Sequence, residues 1–244
     1  MRGLTSGQVL EVWERGQGHG LAVRALALLA AASPEASWEE LGALPLGERD
    51  RQLLELREET LGSRIEGAVR CPACGEALDV TLDARELRSG ARTGTPPELE
   101  LSRDALELRF RLPNSLDLLA AERCAAVGEA RRLLAGRCVL EARRGGEPVP
   151  ADGLSEEDVQ ALAATLAEAD PGAELLLELR CPACERGWWE LFDVASFFWA
   201  ELDVQARRLL REVHALARAY GWREADVLAL SPQRRRLYLE MVGA

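Results

Sequence analysis

Apolar positions recur three and four apart along most of this chain and alternate with polar ones in only a few short runs. That pattern predicts mainly helix, punctuated by brief strands. The longest helical stretch runs from Ser196 to Tyr220, where Phe198, Leu202, Ala206, Leu209, Val213, Leu216 and Tyr220 form one stripe and Gly221 stands ready as a left-handed cap. Residues 1–32 also read as helical, with a stripe of Leu21, Ala25, Leu28 and Leu29 and a break at GQGHG, 16–20. Further helices are predicted at 47–61 and at 155–168. The latter opens with Ser155 and Asp158 at capping-box spacing and puts Val159, Leu162 and Leu166 on one face. From residue 115, SLDLLAAERCAAVGEARRLLAG reads as one helix, and a short helix at 223–229 precedes Ser231 as N-cap with Pro232 at the first helical position. LELRFRLP at 106–113 alternates like a strand, while 89–98 and 143–153 have loop chemistry.

One pentapeptide interrupts this picture twice. RCPAC stands at 70–74 and again, 110 residues on, at 180–184. In each half a helix comes first, then a short β-like run (RIEGAVR, AELLLELR), the cysteines, a second β-like run (ALDVTLD, WWELFDV) and another helix. A period this long is no solenoid; it indicates an internal duplication or pseudo-symmetric pairing. The expected fold class is therefore α+β, mainly helical, with short β-hairpins carrying two zinc-knuckle turns in a pseudo-duplicated arrangement. The expected organisation is an N-terminal helical segment (1–43), a first helix-strand-CPAC-strand unit (44–90), a linker with strand and helical insert (91–153), a second such unit (154–200) and a C-terminal helical tail (201–244).

Composition narrows the function classes. A chain of 244 residues that is 48% hydrophobic and 29% charged can bury a core as one or two domains. Runs such as LAVRALALLAAA at 21–32 are interrupted by Arg and too short to span a bilayer, and the N-terminus lacks the apolar core of a secretory signal. A cytoplasmic protein without membrane contact is expected. A net charge of −11 argues against binding along a phosphate backbone. All 30 basic residues are Arg, a bias to which no chemistry is assigned.

In a cytoplasmic chain, six cysteines point to thiols or metal ligands more than to a disulfide framework. Cys124 and Cys138 stand alone and read as small buried apolar residues. Cys71, Cys74, Cys181 and Cys184 offer two ligand pairs, and one tetrahedral zinc would take all four. Gly75 after the first turn suits the backbone conformation that aims amides at sulfur; the second turn has Glu185 there, so a looser knuckle is expected. Two other readings stay open: a redox role for each C-x-x-C, and two metal-free structural turns. His19 and His214 sit in structural settings, and no P-loop, G-x-S-x-G, H-E-x-x-H or dinucleotide fingerprint appears, so no catalytic residue and no small-molecule substrate are assigned.

The run LPLGERDRQLLELREETLGSRIEGAVRCPACGEALDVTLDARELR, with its C-P-x-C-G and following D-V-x-x-D, resembles the baseplate protein family of contractile-tailed bacteriophages. The ending REVHALARAYGWREADVLALSPQRRRLYLEMV is similar to the ending of that family, and versions with two C-P-x-C units look like those of phage-derived contractile injection systems. The resemblance spans about 44–88 and 174–242. It implies a non-enzymatic structural or hub-assembly component whose partners are other baseplate or tail proteins, incorporated into a phage-like particle. The dense aromatics Trp188, Trp189, Phe197, Phe198, Trp199 and Trp222 are then candidate partner contacts, only part of them available at the surface. The tail after 220 has few apolar residues for a core of its own. The alternative is a zinc-ribbon nucleic-acid-binding regulator using Arg218, Arg223 and the run at 234–236. That run lies in an amphipathic helix with Leu237, Leu239 and Met241 and reads first as a solvated face.

Overall fold

The structure is a computed structural model that describes residues 1–89 and 98–243. The loop expected at 89–98 falls mainly on residues 90–97, outside the described residues. Helix α1 (Ser6–Gly16) opens with a Thr5–Gln8 capping box, followed by α2 (Leu21–Ala32), α3 (Trp38–Gly42) and α4 (Leu46–Leu61). Strands β1 (Arg64–Arg70) and β2 (Ala77–Asp83) form an antiparallel hairpin that runs directly into α5 (Ala84–Ser89). An insert follows: β3 (Leu99–Arg103), β4 (Leu106–Phe110), α6 (Ser115–Ala121), α7 (Val127–Cys138), β5 (Val139–Arg144), β6 (Glu147–Pro148) and α8 (Glu156–Ala169). Its strands make an antiparallel sheet in the order β3-β4-β5-β6. A second hairpin, β7 (Leu176–Arg180) and β8 (Gly187–Leu191), leads into α9 (Val194–Tyr220), then α10 (Glu224–Ala229) and α11 (Pro232–Val242). The α+β class and the repeated order helix, strand, CPAC, strand, helix are as expected, with α4-β1-β2-α5 matched by α8-β7-β8-α9.

The long helix α9 organises the molecule. Its 27 residues extend about 40 Å at 1.5 Å per residue, enough to serve two cores. The first half presents Phe198, Leu202, Ala206 and Leu209 to α1, α2 and α4, where Leu26, Leu29, Leu53 and Leu56 are fully buried. Arg57 of α4, itself buried, reaches across to Glu201 with Nε and Nη2 donating to the carboxylate at 2.9 and 2.6 Å. The second half contributes Val213 and Leu216 to a smaller core closed by Val227, Trp222, Tyr238 and Leu239. The tail after 220 therefore packs not on a core of its own but on one shared with α9, to which it brings Val227, Trp222, Tyr238 and Leu239. Arg235 is also not solvated: it is buried, with Nε donating to Glu212 at 2.6 Å and Nη1 to the Leu230 carbonyl. Leu237 and Met241, assigned to the apolar face, instead lie 55% and 72% exposed.

The insert has its own core of Leu106, Leu108, Phe110, Leu154, Val159 and Leu162. The single helix expected from residue 115 is broken. Asn114 caps α6 in a reciprocal box with Asp117, and the chain turns through 122–126 before α7. The reason is electrostatic. Asp117 is wholly buried and accepts from Arg111 at 2.7 and 2.9 Å and from Arg137 at 2.8 Å. In one continuous helix Arg137 would stand about 30 Å from Asp117, so the charge pairing requires the reversal. Cys124 lies in that turn and is only half-buried, whereas Cys138 is fully buried with its thiol pushed up to about 11 by burial.

Candidate metal centre

Each CPAC sits at the tip of a hairpin whose register places the residue before the first cysteine opposite the third residue after the second: Arg70 against Ala77, Arg180 against Gly187. The two turns are built alike. The Cys71 amide donates to the Glu76 carbonyl at 2.8 Å and the Gly75 amide to the Cys71 carbonyl at 2.9 Å; Cys181 with Arg186 and Glu185 with Cys181 repeat this at 2.9 Å each. Gly75 has φ +76° and Glu185 φ +60°. The second knuckle is thus as tight as the first, and the expected looseness is corrected: the turn's hydrogen bonds hold a glutamate in a left-handed conformation that glycine adopts at less cost. Residue by residue, exposure along 71–80 matches that along 181–190, with the first cysteine buried and the second exposed.

The tips meet. Cys71 Sγ lies 3.7 Å from Cys184 Sγ, and Cys74 Sγ lies 3.6 Å from Cys181 Sγ. All four sulfurs fall within 4.8 Å of one another, a group that could hold a metal ion. Four thiolates about 2.3 Å from a tetrahedral zinc would be about 3.8 Å apart along each edge, so donor set and spacing fit a soft, tetrahedral cation. The backbone amide of Cys74, and with it that of Ala73, pulls the Cys71 thiol down to about 6 although burial opposes ionisation. The Glu76 amide acts in the same direction on Cys74, but the sulfurs of Cys181 and Cys184 outweigh it and push Cys74 up to about 12. Sulfurs this close resist collective ionisation unless a cation compensates them.

The sequence reading left the arginine of each pentapeptide without a role. Arg70 Nη1 donates to the Gly75 carbonyl at 3.3 Å and Arg180 Nε to the Glu185 carbonyl at 3.2 Å, so each guanidinium braces the far side of its own turn. The signal was the first letter of the repeat.

The aromatic residues do not form one surface. Phe198 is 1% and Trp199 7% exposed, the latter under the Arg24 guanidinium at 4.6 Å, so both belong to the core and neither can meet a partner. The helical stripe that packs α9 demands this of Phe198. Phe197 is half-buried against Phe192, and Trp222 is half-buried in a separate cluster with Tyr220 and Tyr238. Trp188 is half-buried and donates to Glu190 at 3.0 Å. Trp189, on the opposite face of β8, is 63% exposed and is joined there by Leu191 and its cross-strand partner Leu176. Those two leucines went unnoticed in the sequence, although β alternation places them with Trp189.

No helix among the described residues is long and apolar enough to cross a membrane. The model of the T4 bacteriophage base plate protein family matches residues 29–199, more than two thirds of the chain. The matched span holds both hairpins and the insert and ends at Trp199, so most of α9 and all of α10 and α11 lie beyond it. Neither a curated protein nor a solved structure matches the chain.

Proposed function

Because the chain belongs to the T4 bacteriophage base plate protein family, we propose that it is a non-enzymatic structural or assembly component of a phage-like contractile tail, held in shape by one zinc ion on Cys71, Cys74, Cys181 and Cys184. The observation that carries this reading is the coincidence of the family match with the paired hairpins: all four cysteines lie inside residues 29–199. When bound, zinc would supply structure alone, since four protein thiolates leave no position for a substrate. It would close a loop of more than a hundred residues between the two tips and fix the angle between them. Its partners would be other baseplate or tail proteins. The exposed apolar groups Trp189, Leu176 and Leu191 on the second hairpin, and Leu237 and Met241 on α11, are the surfaces offered to them.

The regulator reading loses its principal cation. Arg235 is consumed inside the molecule by Glu212, leaving Arg218, Arg223, Arg234 and Arg236 as exposed charges on a chain of net charge −11. The test is to produce the chain together with the tail proteins of its own source and purify the particle. The reading requires the protein in the particle or in a baseplate subassembly, and loss of assembled tails when it is omitted. Normal tails without it, or retention on DNA at physiological salt and not on tail proteins, would reverse the conclusion.

A further inference from the structure

The two hairpins touch at their tips and are held at their bases by α5 and α9, yet their inner faces do not close on each other. Between them lies a cavity of about 290 Å³ walled by Ile65, Val69, Val80 and Leu82 on one side and Leu177 and Phe192 on the other. In a sealed sandwich these faces would be buried; Val69, Val80 and Leu177 stay half-exposed. Gly67 occupies the middle of β1 and adds no side chain to the wall; a Cβ there would reach van der Waals contact with Phe197 Cε2 at 3.4 Å. The cavity opens past Leu191, 57% exposed, onto Leu176 and Trp189. The corresponding outer face of the first hairpin carries Glu66, Thr81 and Asp79 instead. The pseudo-symmetry is broken on these outer faces: the second hairpin extends the apolar surface outward, the first does not.

Two carboxylates, Glu190 and Asp193, line this otherwise apolar cleft, and no cation lines it. Asp193 caps α9 through the Ser196 amide and Glu190 accepts from Trp188, but among the described residues neither forms a salt bridge. Covering them with an apolar surface alone would strand two charges out of water without a partner, which is strongly unfavourable. Building on the baseplate reading, we propose that this cleft receives an extended apolar segment of a tail protein that carries one arginine or lysine to meet Glu190 and Asp193. Its size, at the lower limit of small-ligand pockets, suits a few side chains of such a segment.

The experiment places the photocrosslinker p-benzoylphenylalanine at Val80, at Leu177 and, on the opposite face of β2, at Thr81, in the full chain produced with its tail proteins. Crosslinked peptides are then identified by mass spectrometry. Positions 80 and 177 should trap the same segment of one tail protein, containing apolar residues and a cation within a few positions, while position 81 traps it weakly. Glu190→Arg, checked for unchanged metal content, should lower that yield about tenfold, and reversing the partner's cation to Glu should restore it. Crosslinks to a second copy of this chain, to a segment without a cation, or none from 80 and 177 while the chain still co-purifies with tail proteins would overturn the cleft and leave the assembly reading standing. Absence of any tail protein from the purified, unsubstituted chain would instead overturn the assembly reading itself, and the cleft proposal with it.

Discussion

Asp170 Oδ2 accepts the backbone amide of Gly47 at 2.9 Å, joining residues 123 apart in sequence. Helix α4 begins after Pro45, whose side chain cannot cap it, and the missing acceptor arrives from the residue that ends α8. The fit is close: a Cβ on Gly47 would collide with Asp170 Oδ1. The start of the helix that precedes the first hairpin is thus fastened to the end of the helix that precedes the second.

Asp170→Ala should cost about 1–2 kcal/mol in urea unfolding, since it strands a buried amide at a helix start. Gly47→Ala should destabilise comparably by forcing the carboxylate away. Both variants should keep the metal content of the parent, because neither residue belongs to the four-cysteine group.

The metal itself is checked by elemental analysis of protein purified without chelator, with about one zinc per chain expected. Cys71→Ser and Cys181→Ser should each abolish it and lower the same cooperative transition by several kcal/mol in calorimetry, because on this reading each would remove a ligand of a metal shared by both hairpins. Two separate transitions, each sensitive to one variant, would mean two independent turns.

The two knuckles make a matched pair for testing backbone strain. Glu185→Gly should tighten metal retention by about 1 kcal/mol, relieving an L-residue at φ +60°, and Gly75→Ala should weaken it by a similar amount at φ +76°. Zinc release to a chromophoric chelator measures both. Equal rates for all three proteins would show that the left-handed position does not limit the site.

Acid should act on the insert through Asp117. Burial alone would raise its carboxyl, but Arg111, the Asn114 amide and Arg137 outweigh it and hold the group below the usual aspartate range. A carboxyl depressed on folding contributes stability that is fully present above its unfolded pKa of about 3.9 and is lost as pH falls through the lower folded value. Asp117→Asn should therefore be less stable than the parent at pH 7, by about 3 kcal/mol for a broken buried pair, with the difference shrinking below pH 4. Urea denaturation at pH 7, 4 and 3 follows it.

What the sequence determined by itself was local. Periodicity located α4, α8 and α9, Ser155–Asp158 and Ser231–Pro232 set helix starts, and the repeated RCPAC identified two equivalent turns and four candidate ligands, because spacing and side-chain type are properties of short segments. The tertiary structure decided everything that depends on which segments meet. It brought Cys71 to Cys184 and Cys74 to Cys181, and it made Glu185 adopt the conformation of Gly75 because the hydrogen bonds of the turn, not the residue's preference, set its backbone. It broke the helix after Ala121 so that Arg137 could reach Asp117. It sorted the aromatics as well: the stripe of α9 already set Phe198 toward the core, but Trp199 looks no different from Trp189 in sequence, and only the packing that buries the first and the hairpin face that leaves the second exposed tell core from surface. Burial is a relation between distant residues, and in this chain its partners are supplied from the other end.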